Sequence, residues 1–141
     1  VIANPTLRRC FESYVEGNEL AAGNVFAFNT VVAAYTKGEE WLQEMLSYVQ
    51  GNIDYLVDYL QQNLPQLKVI VPQASYLVFI DFSALGLSQK ELITLCTNGA
   101  HLALNDGAIY GEEGTGYMRI NLACPRSIVE QALAQLKEAI G

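Results

Sequence analysis

The order of the periodic segments along the chain predicts an α+β fold. Over residues 5–64, apolar side chains recur at steps of three and four, which is the spacing of one face of a helix. The period then switches to two in short β-rich runs, and two further helical segments alternate with these runs. Helices followed by a mixture of strands and helices are typical of the α+β class.

Two helices are predicted before residue 39. Asn4 followed by Pro5 indicates a helix start, because Asn caps free N–H groups and Pro suits the first helical position. Gly17-Asn18 ends this helix, and the segment 20–24 is predicted to be a loop of small residues. The apolar spacing of Phe28–Thr36 predicts the second helix.

The longest predicted element is a helix over Glu39–Leu64, which Pro65 ends. A helix rises 1.5 Å per residue, so about 25 residues span about 40 Å. Such a length predicts a helix that bridges two layers or two domains. Its aromatic side chains are interpreted as core: Trp41, Tyr48, Tyr55 and Tyr59.

Four strands are predicted after this helix: Leu67–Val71, Tyr76–Phe82, His101–Leu104 and Tyr117–Ala123. The short loop 72–75 joins the first two, so we expect these two to be neighbours. A helix opens at Ser88, where Glu91 completes a capping box, and a last helix opens at Pro125. Residues 105–116 include four glycines and are predicted to be a loop.

The charge balance of the chain excludes two classes of partner. Eight Lys and Arg residues stand against 15 Asp and Glu residues, which gives a formal net charge of −7. Nucleic-acid-binding proteins and amphipathic membrane-surface helices both depend on basic residues. No apolar run reaches the roughly 18 residues that a membrane span needs. We therefore expect no nucleic acid and no membrane partner.

The cysteines and the single histidine indicate no metal site. Cys10, Cys96 and Cys124 match no zinc-binding spacing, and their odd number argues against a disulfide scaffold. They are interpreted as buried, reduced thiols, which favours a cytoplasmic location. His101 has no visible partner that would orient it as a base, so it is interpreted as a packed or surface side chain.

Arg119 is the side chain that carries the most chemical information. Tyr117, Arg119 and Asn121 share one face of the last predicted strand. A guanidinium is costly to bury without an anion, and its planar fork suits a carboxylate. The alternation alone, however, favours an arginine on a solvent-facing sheet surface. The nearby Asn105-Asp106-Gly107 is by itself a common surface turn.

A series of motifs runs in order through nearly the whole chain: Asn24-Val25-Phe26, Trp41-Leu42, Tyr76–Asp81, Ala103–Ala108 and Met118–Arg126. This series resembles the C-terminal portion of class I/II, fold type I, pyridoxal-phosphate-dependent aminotransferases. Within that superfamily it is most similar to the cystathionine β-lyase-like, or C–S lyase, branch. The string from Met118 to Arg126 is the most specific part of the resemblance.

The resemblance implies three parts of a larger enzyme. Residues 1–38 would be a remnant of the large domain that binds pyridoxal phosphate, 39–64 the connecting helix, and 65–141 the small domain with a short, mostly antiparallel sheet. The family's Schiff-base lysine lies upstream in a Ser-x-x-Lys context. None of the lysines here follows Ser or Thr by three: Lys37, Lys68, Lys90 and Lys137. We therefore expect a C-terminal fragment that is inactive alone and carries no catalytic residue.

The resemblance also implies the roles of individual residues. Arg119 would grip the α-carboxylate of an amino-acid substrate. The loop before the second strand would line the substrate side through Ser75 and Tyr76, although it lacks the glycine that the family has there. Asn24 would reach the cofactor phosphate of a neighbouring subunit in a homodimer.

The function that the resemblance implies is amino transfer, or β-elimination as in cystathionine β-lyase, with pyridoxal phosphate as the cofactor. One alternative is a non-catalytic binding or regulatory module derived from this family. A second alternative is an unrelated α+β domain with accidental similarity. The surface charge and aromatic content permit a protein partner for such a module but specify none.

Overall fold

The computed structural model of the chain describes residues 2–20 and 23–141. These residues form two compact units, unit 1 (Val1–Gln43) and unit 2 (Glu44–Gly141). The loop predicted over 20–24 includes Ala21 and Ala22, which lie outside the described residues. No helix in the described ranges is long and apolar enough to cross a bilayer.

Unit 1 is helical. Helix α1 spans Pro5–Gly17, α2 spans Ala27–Lys37, and the long helix α3 begins at Glu39. Oδ1 of Asn4 accepts hydrogen bonds from two N–H groups in the first turn of α1, at 2.9 and 3.2 Å, so the predicted cap is confirmed. The prediction of α2 is also confirmed, to within one residue at each end.

No described residue of unit 1 is buried. The Trp41 side chain is 67% exposed, so its interpretation as core is wrong, because the described part of this unit has no second layer to cover it. Tyr48, in unit 2, is 51% exposed and was also wrongly assigned to the core. Tyr55 and Tyr59 do pack against the core of unit 2.

Unit 2 combines a four-stranded sheet with helices. The strands follow the order β1-β2-β4-β3 and pair antiparallel throughout: β1 Lys68–Ile70, β2 Leu77–Asp81, β3 Asn105–Asp106 and β4 Tyr117–Asn121. Helix α3 ends at Asn63, α4 spans Gln89–Thr94 and continues as a π-helical segment to Gly99, and α5 spans Arg126–Ile140. The predicted α+β fold with a short antiparallel sheet is therefore confirmed.

One face of the sheet in unit 2 forms the core. Val78 and Ile80 of β2 and Met118 and Ile120 of β4 are buried, as the alternation in both strands predicts. They belong to one cluster with apolar side chains of α3, α4 and α5. The strand residues that alternate with these four buried side chains lie on the opposite face of the sheet, which is called the outer face here. Arg119 lies on this outer face.

The strand predicted over His101–Leu104 is wrong. His101 has a φ of 56°, in the left-handed region, where the chain leaves the π-helical segment. Residues 101–104 do not pair with a neighbouring strand, and the third strand is instead Asn105–Asp106. The predicted loop 105–116 therefore contains β3, followed by two short 3₁₀ turns, Gly107–Tyr110 and Glu112–Gly114.

The three thiols differ in burial. Cys96 is fully buried, as predicted, and desolvation raises its pKa to about 11, so it stays protonated at neutral pH. Cys124 is half-buried, and burial raises its pKa as well. Cys10 is exposed on α1, so its predicted burial is wrong. The physical reason is that unit 1 buries none of its described side chains.

A buried polar cluster joins α3 to the end of β4. Asn52 is fully buried, and its Nδ2 group donates to the backbone carbonyls of Leu122 and Cys124, both at 2.9 Å. Its Oδ1 accepts from Nε of Arg126 at 2.9 Å. The guanidinium of Arg126 lies 4.6 Å from the ring centroid of Tyr55. Asn52 thus fixes the chain where β4 turns into α5.

Candidate functional site

The candidate site is built around Arg119 on the outer face of the sheet. The register places Arg119 opposite Phe79 of β2 on one side and opposite Asn105 of β3 on the other. Its side chain is half-buried. A central position between two strands restricts the directions that the long side chain can take, because neighbours stand on both sides of it.

Two contacts hold the guanidinium of Arg119. Nη2 donates a hydrogen bond to Oδ1 of Asn105 at 3.1 Å. The central guanidinium carbon lies 4.7 Å from the ring centroid of Tyr110, a cation–π distance. The Tyr110 ring in turn meets Phe79 edge-on, with centroids 5.7 Å apart and planes at 86°. The charged group is thus held by a neutral amide and an aromatic face.

One donor of Arg119 is left without a partner. Nε is buried and makes no hydrogen bond with any described residue. Leaving a buried donor unpaired costs about 1–3 kcal/mol, and the amide of Asn105 does not neutralise the positive charge. A planar guanidinium with spare donors is suited to bind a carboxylate. The arrangement is therefore chemically suited to an anion, and the role of Arg119 towards a substrate stays a prediction.

A shallow cavity opens on the sheet beside the Tyr110 ring. Its volume is about 270 Å³, and its lining includes Tyr110 and Phe79 but not Arg119 itself. The remaining lining residues are Ile70, Gly107, Glu113, Gly114 and Tyr117. The lining is mainly apolar, with Glu113 as its acidic side chain. This surface can accommodate the aliphatic or thioether part of a small molecule.

The loop that carries Tyr110 is anchored at both ends by Gln89. Nε2 of Gln89 donates to Oδ1 of Asp106 at 2.6 Å, and Oε1 accepts from the N–H of Gly116 at 2.7 Å. Within the loop, Gly107 and Gly114 approach so closely that a Cβ on Gly114 would lie 2.0 Å from the Gly107 carbonyl oxygen. These contacts leave the loop little freedom to move independently.

The structure places Ser75 and Tyr76 directly before β2. The carbonyl of Tyr76 accepts a hydrogen bond from the N–H of Leu122 at 2.9 Å, which ties this end of β2 to the strand of Arg119. The Tyr76 side chain is 41% exposed. The contacts that hold Arg119, however, come from Asn105 and Tyr110 rather than from Ser75 or Tyr76. A substrate contact of these two residues remains a prediction.

Ser75 occupies the backbone conformation that a glycine prefers. Its φ is 74°, at a position close to where the family resemblance leads us to expect glycine. We expect Ser75→Gly to raise the free energy of unfolding by about 0.5–1 kcal/mol, because it removes the strain of a residue that carries a Cβ in the left-handed region. Urea unfolding followed by circular dichroism measures the change. Ala74→Gly is the control, since Ala74 has no positive φ, and it should lower stability. Equal destabilisation by both variants would contradict the expected strain.

Asn24 lies in unit 1, where its side chain shapes a local turn. Its Oδ1 accepts from the N–H of Phe26 at 2.8 Å, and its backbone carbonyl accepts from the N–H of Ala27 at 2.8 Å. This Asx turn leads into α2. The turn explains why Asn suits the position, while a contact with a cofactor phosphate remains a prediction.

Sequence reasoning missed Asn105 and Tyr110 as parts of this site. Asn105 was interpreted as a plain turn residue, and Tyr110 lay within a predicted loop. The available signal was the ordered string Ala103–Ala108, which contains Asn105 and precedes the strand of Arg119. No group of three or more His, Cys, Asp or Glu side chains in residues 2–20 and 23–141 could hold a metal ion.

The fold and the site define an α+β domain that presents an arginine with spare donors on its outer sheet face. Residues 19–136 match the family described as aminotransferase class I and II. Because the match covers most of the chain, the chain belongs to this family.

Individual relatives agree with this assignment. The chain is 35% identical over 140 residues to cystathionine β-lyase PatB of Bacillus subtilis strain 168, which covers 99% of the chain and 36% of the relative. A protein of Clostridium difficile 630, solved with PLP bound, superposes with a TM-score of 0.92 at 40% identity, over 100% of this chain and 36% of that protein. The PLP-bound C–S lyase of Staphylococcus hominis superposes with a TM-score of 0.79 at 29% identity, over 99% of this chain and 36% of that protein. The chain thus spans about a third of the length of these proteins.

Proposed function

We propose that the chain is the substrate-gripping part of a PLP-dependent enzyme that acts on amino acids. The observation that carries the proposal is the spare donor capacity of the half-buried Arg119, which gives one of its five N–H donors to Asn105 among the described residues. An α-carboxylate would accept from the accessible donors that Asn105 does not take and would neutralise the charge. The family to which the chain belongs, together with the PLP in two of the structures it resembles, supports this choice of cofactor and substrate.

The division of labour within the parent protein is part of the proposal. Residues 1–38 would belong to the large domain, 39–64 would form the connecting helix, and 65–141 the small domain. The exposed apolar side chains of unit 1 agree with contacts to a larger domain. The chain alone would be inactive, since no lysine of the chain occurs in a Ser-x-x-Lys context. The homodimer and the cytoplasmic location remain predictions.

The residues of this chain fit one part of the chemistry, which is to hold the substrate. When bound, pyridoxal phosphate withdraws electrons from the substrate Cα. Arg119 would fix both carboxylate oxygens and so restrict rotation of the bonds around Cα. Ser75 and Tyr76 would line the substrate side, and Asn24 would contact the phosphate group of the cofactor in the neighbouring subunit.

The reaction would be amino transfer or β-elimination. The names of two relatives, a cystathionine β-lyase and a C–S lyase, favour elimination from a sulfur-containing amino acid. The mainly apolar cavity beside Tyr110 agrees with a thioether side chain, which is weakly polar. The grip on the carboxylate is common to both reactions, so the role of Arg119 does not depend on which of them occurs.

Replacement of Arg119 by lysine tests the proposal in the full-length protein. Lysine keeps the charge but loses the planar fork, and a charge-assisted hydrogen bond contributes about 1.5–3 kcal/mol. We expect the KM for L-cystathionine to rise about 10–100-fold while the visible absorbance of the bound cofactor stays unchanged. Arg9→Lys, at an exposed position of α1, is the matched control and should behave as the wild type.

An unchanged KM in Arg119→Lys would remove Arg119 from the carboxylate role. A full-length protein that binds no pyridoxal phosphate would contradict the enzymatic proposal itself. That second result would instead favour a non-catalytic binding or regulatory module built on the same fold. Absorbance spectroscopy of the purified protein with added pyridoxal phosphate distinguishes these two results.

A further inference from the structure

We propose that Tyr110 is a positioning residue that orients the guanidinium of Arg119 for the substrate carboxylate. The inference rests on the proposed function, because it assigns a second residue to the same grip. Its basis is the position of the central guanidinium carbon over the Tyr110 ring, 4.7 Å from the ring centroid. This contact restricts where the charged group can lie, whereas the carboxylate would be bound by the N–H donors.

The two contacts of Arg119 differ in kind. The Tyr110 ring attracts the positive charge of the guanidinium as a whole, whereas Asn105 takes one of the five N–H donors. Asn105 takes one in-plane donor on Nη2, at 3.1 Å, and Nε remains without a described partner. These two contacts therefore restrict the orientation of Arg119, and the donors that Asn105 does not take are left for an anion.

Tyr110 can orient Arg119 only if it is itself fixed. Its ring meets Phe79 edge-on, and Phe79 stands directly opposite Arg119 in the sheet register. The loop of Tyr110 is held at both ends by Gln89 and is closed by the tight contact between Gly107 and Gly114. The ring is thus restricted by its contact with Phe79 and by the anchored loop, although 51% of the Tyr110 side chain is exposed.

Orientation before binding improves affinity without any new contact to the ligand. An arginine that samples many rotamers loses this freedom when it binds a carboxylate, and this loss weakens binding. An arginine already held between Asn105 and Tyr110 loses less. The benefit of the tyrosine should therefore appear with ligands that carry a carboxylate and be absent with ligands that lack one.

The test uses the full-length protein with bound cofactor and a pair of small ligands. L-Alanine carries the carboxylate, and L-alaninamide replaces it by a neutral amide. The dissociation constant of each is measured from the change in the visible absorbance of the bound cofactor. We expect Tyr110→Leu to weaken L-alanine binding about 5–30-fold, the range that a cation–π contact supports, with no change for L-alaninamide. The preference for the acid, which is the dissociation constant of L-alaninamide divided by that of L-alanine, therefore falls.

Matched variants identify which property of the side chain matters. Tyr110→Phe keeps the aromatic face and should bind L-alanine as the wild type does. Ile109→Ala changes the exposed neighbouring side chain and should also leave the preference unchanged. Tyr110→Met fills a similar volume without an aromatic face and should reproduce the loss seen in Tyr110→Leu. In an Arg119→Lys background, Tyr110→Leu should add little, because the two residues act together.

Each unfavourable result has a distinct meaning. Equal weakening of both ligands by Tyr110→Leu and Tyr110→Met would indicate a general structural role and overturn the inference. An unchanged preference in both variants would overturn it too. If Arg119→Lys lowers the preference and these variants do not, the inference fails and the proposed function stands. If Arg119→Lys itself leaves the preference unchanged, the carboxylate role that the proposed function gives to Arg119 fails.

Discussion

Replacement of Asn52 by alanine should lower the free energy of unfolding of the chain by about 3–4 kcal/mol. Asn52 is fully buried on α3, and its side-chain amide makes three hydrogen bonds. Alanine leaves two main-chain carbonyls, those of Leu122 and Cys124, without the donor that they share. Each buried group without a partner costs about 1–3 kcal/mol, and the lost volume adds a cavity.

The effect should also reach Arg126, whose Nε loses its acceptor on Asn52. Arg126 keeps two other contacts, its stacking on Tyr55 and the hydrogen bond from its backbone N–H to the hydroxyl of Tyr48 at 2.7 Å. The start of α5 should therefore loosen without coming apart. The main loss arises at the carbonyls, above all at that of the fully buried Leu122.

Urea unfolding followed by circular dichroism measures this loss. Asn52→Asp is the informative companion, because it keeps an acceptor for Arg126 but turns an oxygen towards the two carbonyls. We expect it to destabilise at least as much as alanine. Asn63→Ala, in the half-buried last turn of the same helix, is the control and should cost less than about 1 kcal/mol. A loss in Asn52→Ala no larger than in this control would contradict the buried cluster.

Replacement of Gly114 by alanine should lower the free energy of unfolding by about 3 kcal/mol. A Cβ at this position would lie 2.0 Å from the Gly107 carbonyl oxygen and 2.5 Å from its carbon. Both obstacles are backbone atoms, so no side-chain rotation can relieve the clash. The loop must move as a whole, and Gln89 anchors it at both ends.

Gly107→Ala should have a similar effect, because its Cβ would meet the carbonyl oxygens of Gly114 and Tyr117 at 2.5 and 2.6 Å. Gly17→Ala is the matched control, since no heavy atom lies within 4 Å of its added Cβ, and it should be neutral or slightly stabilising. The denaturation midpoints of the three variants provide the comparison. A midpoint for Gly114→Ala equal to that of Gly17→Ala would show that the close approach of the two glycines does not constrain the loop.

Local signals in the sequence were sufficient for most of the elements. The Asn-Pro pair that caps α1 and the Ser88–Glu91 capping box both occur in the structure, because each involves groups within three residues of one another. The alternation in β4 correctly placed Arg119 on the face opposite Met118 and Ile120, because a strand places neighbouring side chains on opposite sides.

Where local signals failed, a contact between distant residues decided the outcome. The apolar run after His101 was interpreted as a strand, yet the pairing with β4 occurs at Asn105–Asp106, inside a string that resembles a simple turn. Trp41 has a side chain typical of a core, yet exposure depends on what surrounds a residue and not on its type. Such outcomes depend on partners that sequence periodicity does not specify.

By itself the sequence determined the α+β class, the helix caps, the outer-face position of Arg119 and the resemblance to class I/II aminotransferases. These properties reside in short segments or in the order of motifs. Only the tertiary structure decided that Asn105 and Tyr110 hold Arg119 and that Asn52 bonds to carbonyls 70 and 72 residues away. Contacts of this kind require the whole chain to be folded, because they bring together groups that no local pattern relates.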